Sequence, residues 1–226
     1  MSTPRERIAI VSYIEMRKII GMLGISFPII LILGGLVQDN PIVQHSISAY
    51  YYTNMRDFFV GILSVVGLFL LSYKGYEKID DIITNLSGIC AIGMILFPTS
   101  LHTGTITKVG ILMVNDNVSE FVHLIFGACF FILLSFNSIF LFTKRAHITG
   151  IMSREKKHRN IIYRTCGIVM LSSVVFIFIY KTYFCNTFLD KYYPILISES
   201  IALLAFGISW IIKGETFFRD KKTQVQ

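Results

Sequence analysis

Apolar residues fall in long runs separated by short polar links along the whole chain. The runs at about 19–37, 82–101, 119–143, 161–180 and 194–212 are each long enough to cross the ~30 Å hydrocarbon core of a bilayer as a helix. A further run, 58–73, is shorter, roughly 24 Å at 1.5 Å per residue, and continues into the turn at Asp57. The pattern predicts an all-α, polytopic bundle of six transmembrane helices over residues 19–213. A leader, 1–18, and a basic tail, 214–226, flank it.

Local features refine these spans. Ile8, Val11 and Ile14 recur at helical spacing in the leader, which reads either as a short surface helix or as a solvated tail. Gly21, Gly24, Gly34 and Gly35 allow another helix to approach the first span closely, and Pro28 interrupts that span. Pro98 lies near the outer end of the third span. Ser119 is the expected N-cap of the fourth, with Glu120 favoured in its first turn by the helix dipole.

Charge then orients the spans. Lys and Arg collect in the leader, in the links at 74–81 and 144–159, and after Ile212. The opposite side holds only Arg56, Lys108, Lys181 and Lys191. The positive-inside rule puts both termini in the cytoplasm, which agrees with an even number of spans. The tyrosines at 50–52, 180, 183, 192 and 193 are expected in an outer aromatic belt, and Tyr73, Tyr76, Tyr163 and Trp210 in an inner one.

Composition agrees. The 226-residue chain is 54% hydrophobic and 15% charged, with mean hydropathy +0.63, whereas soluble domains carry about 25% charged residues. The net charge of +7 flanks apolar runs and forms no patch for nucleic acid. The expected partners are the lipid bilayer, anionic lipids at the cytoplasmic face and further copies of the chain as a homo-oligomer. The first run is too long for a cleaved signal peptide and reads as an uncleaved anchor in a plasma (inner) membrane. Cys90, Cys129 and Cys166 fall within spans and Cys185 in a loop, so no disulfide framework is expected.

Candidate chemistry gathers at the outer end. The loop before the second span carries His45, Ser46, Ser48 and three tyrosines, and Asp57 opens that span. His102 ends the third, Glu120 and His123 lie at i and i+3 in the fourth, and Glu199 is about five residues into the sixth. Ionisable groups within a span are costly unless they face the interior and find partners. The expectation is that Asp57 faces His102, His123 and Glu199 across the bundle mouth. Catalytic candidates are Asp57, Glu199, Ser46 and Ser48. His45, His102 and His123 could together hold a zinc ion that activates water. For each group the alternative is structural, as a hydrogen-bonded interface histidine, a satisfied buried carboxylate or a helix start.

There is no Gly-x-Ser-x-Gly elbow, no phosphate-binding loop and no mid-span lysine. A polar outer-end pocket that binds or hydrolyses a lipid-like substrate is the leading functional reading. The rivals are a transporter or oligomeric channel, including a membrane-damaging effector, and a non-catalytic scaffold.

Two resemblances bear on this. The segments Ser46-Ile-Ser-Ala-Tyr-Tyr-Tyr-Thr, Arg56-Asp57-Phe-Phe-Val-Gly61, Ser72-Tyr-Lys-Gly-Tyr76, Leu96-Phe-Pro-Thr99 and Ala205-Phe-Gly-Ile-Ser-Trp-Ile-Ile-Lys-Gly214 resemble an uncharacterised family of bacterial six-helix integral membrane proteins. That likeness implies architecture and location alone. The residue types Ser46 or Ser48, Asp57, His45, His102 and His123 are remotely similar to the set used by the alkaline ceramidase and adiponectin-receptor membrane hydrolases. That likeness implies zinc-dependent hydrolysis. The present chain differs in having six spans rather than seven and no His-x-x-x-His near its end.

Overall fold

A computed structural model describes residues 4–37, 41–75, 77–100, 108–144, 153–185 and 187–214, with side chains from Tyr13 onward. The described residues form six α-helices: α1 (Pro4–Leu36), α2 (Arg56–Ser72), α3 (Lys78–Leu96), α4 (Asp116–Phe136), α5 (Arg154–Tyr183) and α6 (Pro194–Lys213). A π-helical turn, Asn137–Leu141, prolongs α4. Five of the helices are long and apolar enough to cross a membrane. α2, of 17 residues, extends about 25 Å.

The helices form a closed ring in chain order, each packed on its sequence neighbours, with α6 returning to α1. The α1–α6 seam is the tightest. A Cβ on Gly21 would lie 2.7 Å from the Gly207 carbonyl oxygen, and one on Gly207 would lie 2.6 Å from that of Gly21. Only glycine on both helices lets the backbones meet, as the sequence suggests for Gly21. The inside of the ring is filled by side chains such as Phe27, Leu31, Phe130, Met170, Phe206 and Trp210. Its outside is apolar: Leu33, Leu68, Phe121 and Phe178 are 56%, 58%, 66% and 70% exposed. Such a surface suits lipid and not water.

Several boundaries depart from the sequence reading. The leader is continuous with the first span, and α1 runs through Pro28. The third helix stops at Leu96 rather than 101. Phe97 precedes Pro98 and is pushed out of the helical region, to φ −116° and ψ 82°. The N-cap of α4 is Asn115, whose side chain accepts from the Asn117 N–H at 3.1 Å, and not Ser119, which is buried one turn further on. A two-stranded hairpin, β1 (Lys108–Val109) and β2 (Val114–Asn115), precedes it.

Most of the expected aromatic belt points inward. Tyr50, Tyr51, Tyr73, Tyr163, Tyr180 and Trp210 are all buried. A phenol can be buried where its hydroxyl finds a partner. Tyr51 accepts from Arg56 Nη2 at 2.9 Å and Tyr73 from Arg17 Nη2 at 3.0 Å.

The two ends of the ring differ. One, the basic end, holds Arg17, Asp80, Lys144 and Lys213. There Lys144 Nζ reaches Glu77 at 2.8 Å and the buried Asp80 at 3.2 Å. The other, the loop end, is covered by residues 41–55, including a 3₁₀ turn at Ser48–Tyr52.

Candidate functional site

The site at the loop end begins with a proline. In a helix the Met94 carbonyl would accept from the N–H four residues on, but that residue is Pro98, which has none. The end of α3 therefore leaves carbonyls to be satisfied from elsewhere. α4 supplies the donors from one face. Ser119 Oγ donates to the Pro98 oxygen at 2.7 Å. One turn later, His123 Nδ1 lies 2.8 Å from the Phe97 oxygen and 3.1 Å from the Met94 oxygen.

Those contacts assign the imidazole proton. Carbonyl oxygens only accept, so Nδ1 carries the hydrogen, and in the neutral ring Nε2 presents its lone pair. Ser48 Oγ lies 2.8 Å from Nε2 and donates to it. His123 is 4% exposed, and its ring is fixed at both nitrogens.

The loop that delivers Ser48 is itself anchored. The Ile47 N–H donates to Glu199 Oε2 at 2.6 Å, and the Leu196 N–H to the His45 oxygen at 3.1 Å. Both bonds tie the loop to the first turns of α6. Ser46 Oγ, just ahead of the 3₁₀ turn, accepts from the Ala49 N–H at 3.1 Å. Tyr52 donates to the Thr99 oxygen at 2.7 Å. Burial, reinforced by the charge of Asp116, pushes the Tyr52 phenol up to about 12, so this donor keeps its proton at physiological pH.

Around these groups lie two neighbouring cavities that share part of their lining. The first, about 480 Å³, is the more polar of the two and is lined among others by His45, Ser46, Glu120 and Asp190. The second, about 590 Å³, runs between α4 and α5 past Gly127, Phe131, Val174 and Phe178, over Phe27 and Leu63. Ser48, His123, Leu124, Ile177, Lys181 and Glu199 line both. At this junction Lys181 Nζ pairs with Glu120 Oε1 at 3.1 Å. Tyr193, at the rim of the polar cavity, has left-handed backbone, φ 52° and ψ 47°, just before Pro194 starts α6. A non-glycine residue in that region costs about 1–3 kcal/mol.

Among the residues singled out from sequence, the fold brings His45, Ser46, Ser48, Glu120, His123 and Glu199 to one cavity. It does not bring Asp57, which stands exposed in the first turn of α2 and lines neither cavity. The expectation that Asp57 faces the bundle mouth is thus corrected. The helical register of α2 turns Phe59, two residues on, inward instead. His102 lies outside the described residues. Sequence reasoning missed Lys181, assigned to a loop only because the fifth helix reads too short. It missed the Met94 and Phe97 carbonyls too, although Pro98 was the signal for one of them.

The zinc reading gains no donor set here. Among the described residues no three His, Cys, Asp or Glu side chains converge as metal ligands. His123 already spends one nitrogen on carbonyls and the other on Ser48. The residues in place are a hydroxyl, an imidazole, an ammonium and two carboxylates at the top of an apolar slot. Such a set handles protons and carbonyl chemistry.

Comparison with protein-family models, curated proteins and solved structures finds no match to this chain.

Proposed function

We propose that this is a multi-pass membrane protein that binds an amphiphile, with the headgroup in the polar cavity and the hydrocarbon tail in the slot between α4 and α5. The single observation that carries this is the junction. The same six residues line both the more polar cavity and the more apolar one. Small-molecule sites are typically 300–1,000 Å³, mostly apolar, with a few convergent polar groups, and both volumes fall in that range.

The distribution of Lys and Arg supports cytoplasmic termini. The loop-end cavity then belongs to the outer leaflet, which fits a bacterial inner-membrane protein with lipid-like ligands. The filled interior of the ring favours this reading over a conduit through one subunit.

The test uses purified protein in lipid nanodiscs with a phospholipid that carries a diazirine in its acyl chain. Photolabelling is expected to concentrate on peptides from α4 and α5 that line the slot. Gly127→Phe should abolish that enrichment. A Cβ at Gly127 meets only Met94 Sδ, at 3.5 Å, so the new ring can enter the slot without forcing the backbone. Labelling spread evenly around the ring, and indifferent to Gly127→Phe, overturns the proposal.

A further inference from the structure

Resting on that reading, we propose that Ser48 and His123 form a nucleophile–base pair that cleaves a long-chain acyl ester held across the junction. Three observations converge on it. Ser48 Oγ and His123 Nε2 are 2.8 Å apart, within the reach a serine nucleophile needs from its base. The base is oriented from behind, since Nδ1–H is committed to the Phe97 and Met94 carbonyls. That is the orienting part an aspartate plays in the familiar triad, and here two backbone oxygens at the end of α3, one of them freed by Pro98, take it. Finally, both residues line the more polar cavity and the more apolar one alike. In a bound amphiphile this is where the carbonyl that joins headgroup to tail would lie.

The chemistry closes without an oxidant or a reductant. Ser48 Oγ attacks the acyl carbon and forms the new O–C bond while its proton passes to His123 Nε2. The carbonyl π pair moves onto oxygen, and Lys181, the lysine common to both cavity linings, faces that developing charge. The intermediate collapses, the bond to the alcohol breaks, and Nε2–H returns its proton to the leaving oxygen. Water entering by the polar cavity then gives a proton to Nε2 and attacks the acyl-serine. Ser48 departs with that proton, and a fatty acid is released. The net reaction is ester plus water to acid plus alcohol.

Glu199 serves as a positioning residue. Its carboxylate accepts from the N–H of Ile47, the residue immediately before Ser48, at 2.6 Å.

The test is trapping of the protein in nanodiscs with a long-chain alkyl fluorophosphonate, a serine-directed reagent, followed by peptide mass spectrometry. One adduct is expected, on Ser48. It should be absent in Ser48→Ala and formed at least tenfold more slowly in His123→Gln, whose amide can still donate to the α3 carbonyls. Thermal unfolding of each variant checks that it is folded. An adduct that forms as fast in folded His123→Gln as in wild type overturns the role of the base. No adduct on Ser48, in a protein whose slot is photolabelled by the diazirine lipid, overturns the cleavage proposal and leaves amphiphile binding standing. Failure of both labels removes both.

Discussion

The carboxylate of Glu199, on the last helix, accepts a hydrogen bond at 2.6 Å from the backbone N–H of Ile47, 152 residues earlier in the chain. An acid one turn into a span thereby becomes the clasp for the loop that covers the site. Removing it orphans a backbone donor in a half-buried place, which costs about 1–3 kcal/mol. Glu199→Ala should lower the detergent unfolding temperature by several degrees. Glu199→Gln, which keeps an acceptor oxygen, should lose less than half as much. The parallel bond from Leu196 N–H to the His45 oxygen keeps the loop attached, so neither variant should unfold outright. Equal losses in the two variants would show that the clasp is not a hydrogen bond.

Lys181 is the next clear target. It borders both cavities and pairs with Glu120. If it faces the oxyanion, Lys181→Met should slow trapping of Ser48 by the fluorophosphonate by about 10²-fold, the usual effect of deleting one such group. Lys181→Arg keeps the charge and should stay within a few-fold of wild type. Trapping rates that do not distinguish the two substitutions would remove Lys181 from the chemistry.

The ring seam gives a purely structural prediction. A methyl at Gly207 meets the Gly21 carbonyl oxygen at 2.6 Å and the Ile25 nitrogen at 2.8 Å, and backbone atoms cannot step aside as side chains do. Gly207→Ala should cost about 1–3 kcal/mol through overpacking. Gly61→Ala is the control. Nothing lies within 4 Å of its Cβ position, and alanine in place of glycine stabilises a helix by about 0.5–1 kcal/mol. Thermal melts of the two proteins should move in opposite directions.

At the basic end, Lys144 bridges Glu77 and Asp80. Partial burial works against its charge, but hydrogen bonds to Glu77 and Asp80, and their charges, outweigh this and raise its pKa above the usual 10.5. A raised lysine pKa means that the bridge is fully stabilising below the unfolded value and is lost only as pH rises through the folded one. Lys144→Met should therefore lower stability by about 1 kcal/mol or less, given its partial exposure. The difference from wild type should stay constant between pH 6 and 9 and shrink only above about 10.5. Melting curves across that range check it.

The helices were legible because bilayer-length apolar runs leave little choice of structure. The site was legible only in part. His123, Ser48 and Glu199 could be named because polar groups beside a span are costly. Their geometry could not, because it depends on a backbone event, the early end of α3 at Phe97, that decides which carbonyls go begging. Asp57 was misjudged for a related reason. Its position along the chain was right, but which face of α2 it occupies depends on how that helix packs. The tyrosines misled differently. Belt and core positions look identical in sequence, and only a hydroxyl partner such as Arg17 for Tyr73 or Arg56 for Tyr51 separates them.

The glycine seam has a consequence for biogenesis. α1 and α6 lie far apart along the chain, and α1 is made well before α6, yet each is the other's closest partner through Gly21 and Gly207. At about 5–20 residues per second, α1 must wait on the order of ten seconds or more in the membrane before its partner emerges. Through that interval its small-residue face is bare, and Ser48 has no Glu199 to hold its loop. The enclosure comes into existence only when α6 arrives, so a chain cut short before α6 has neither the partner of α1 nor the site.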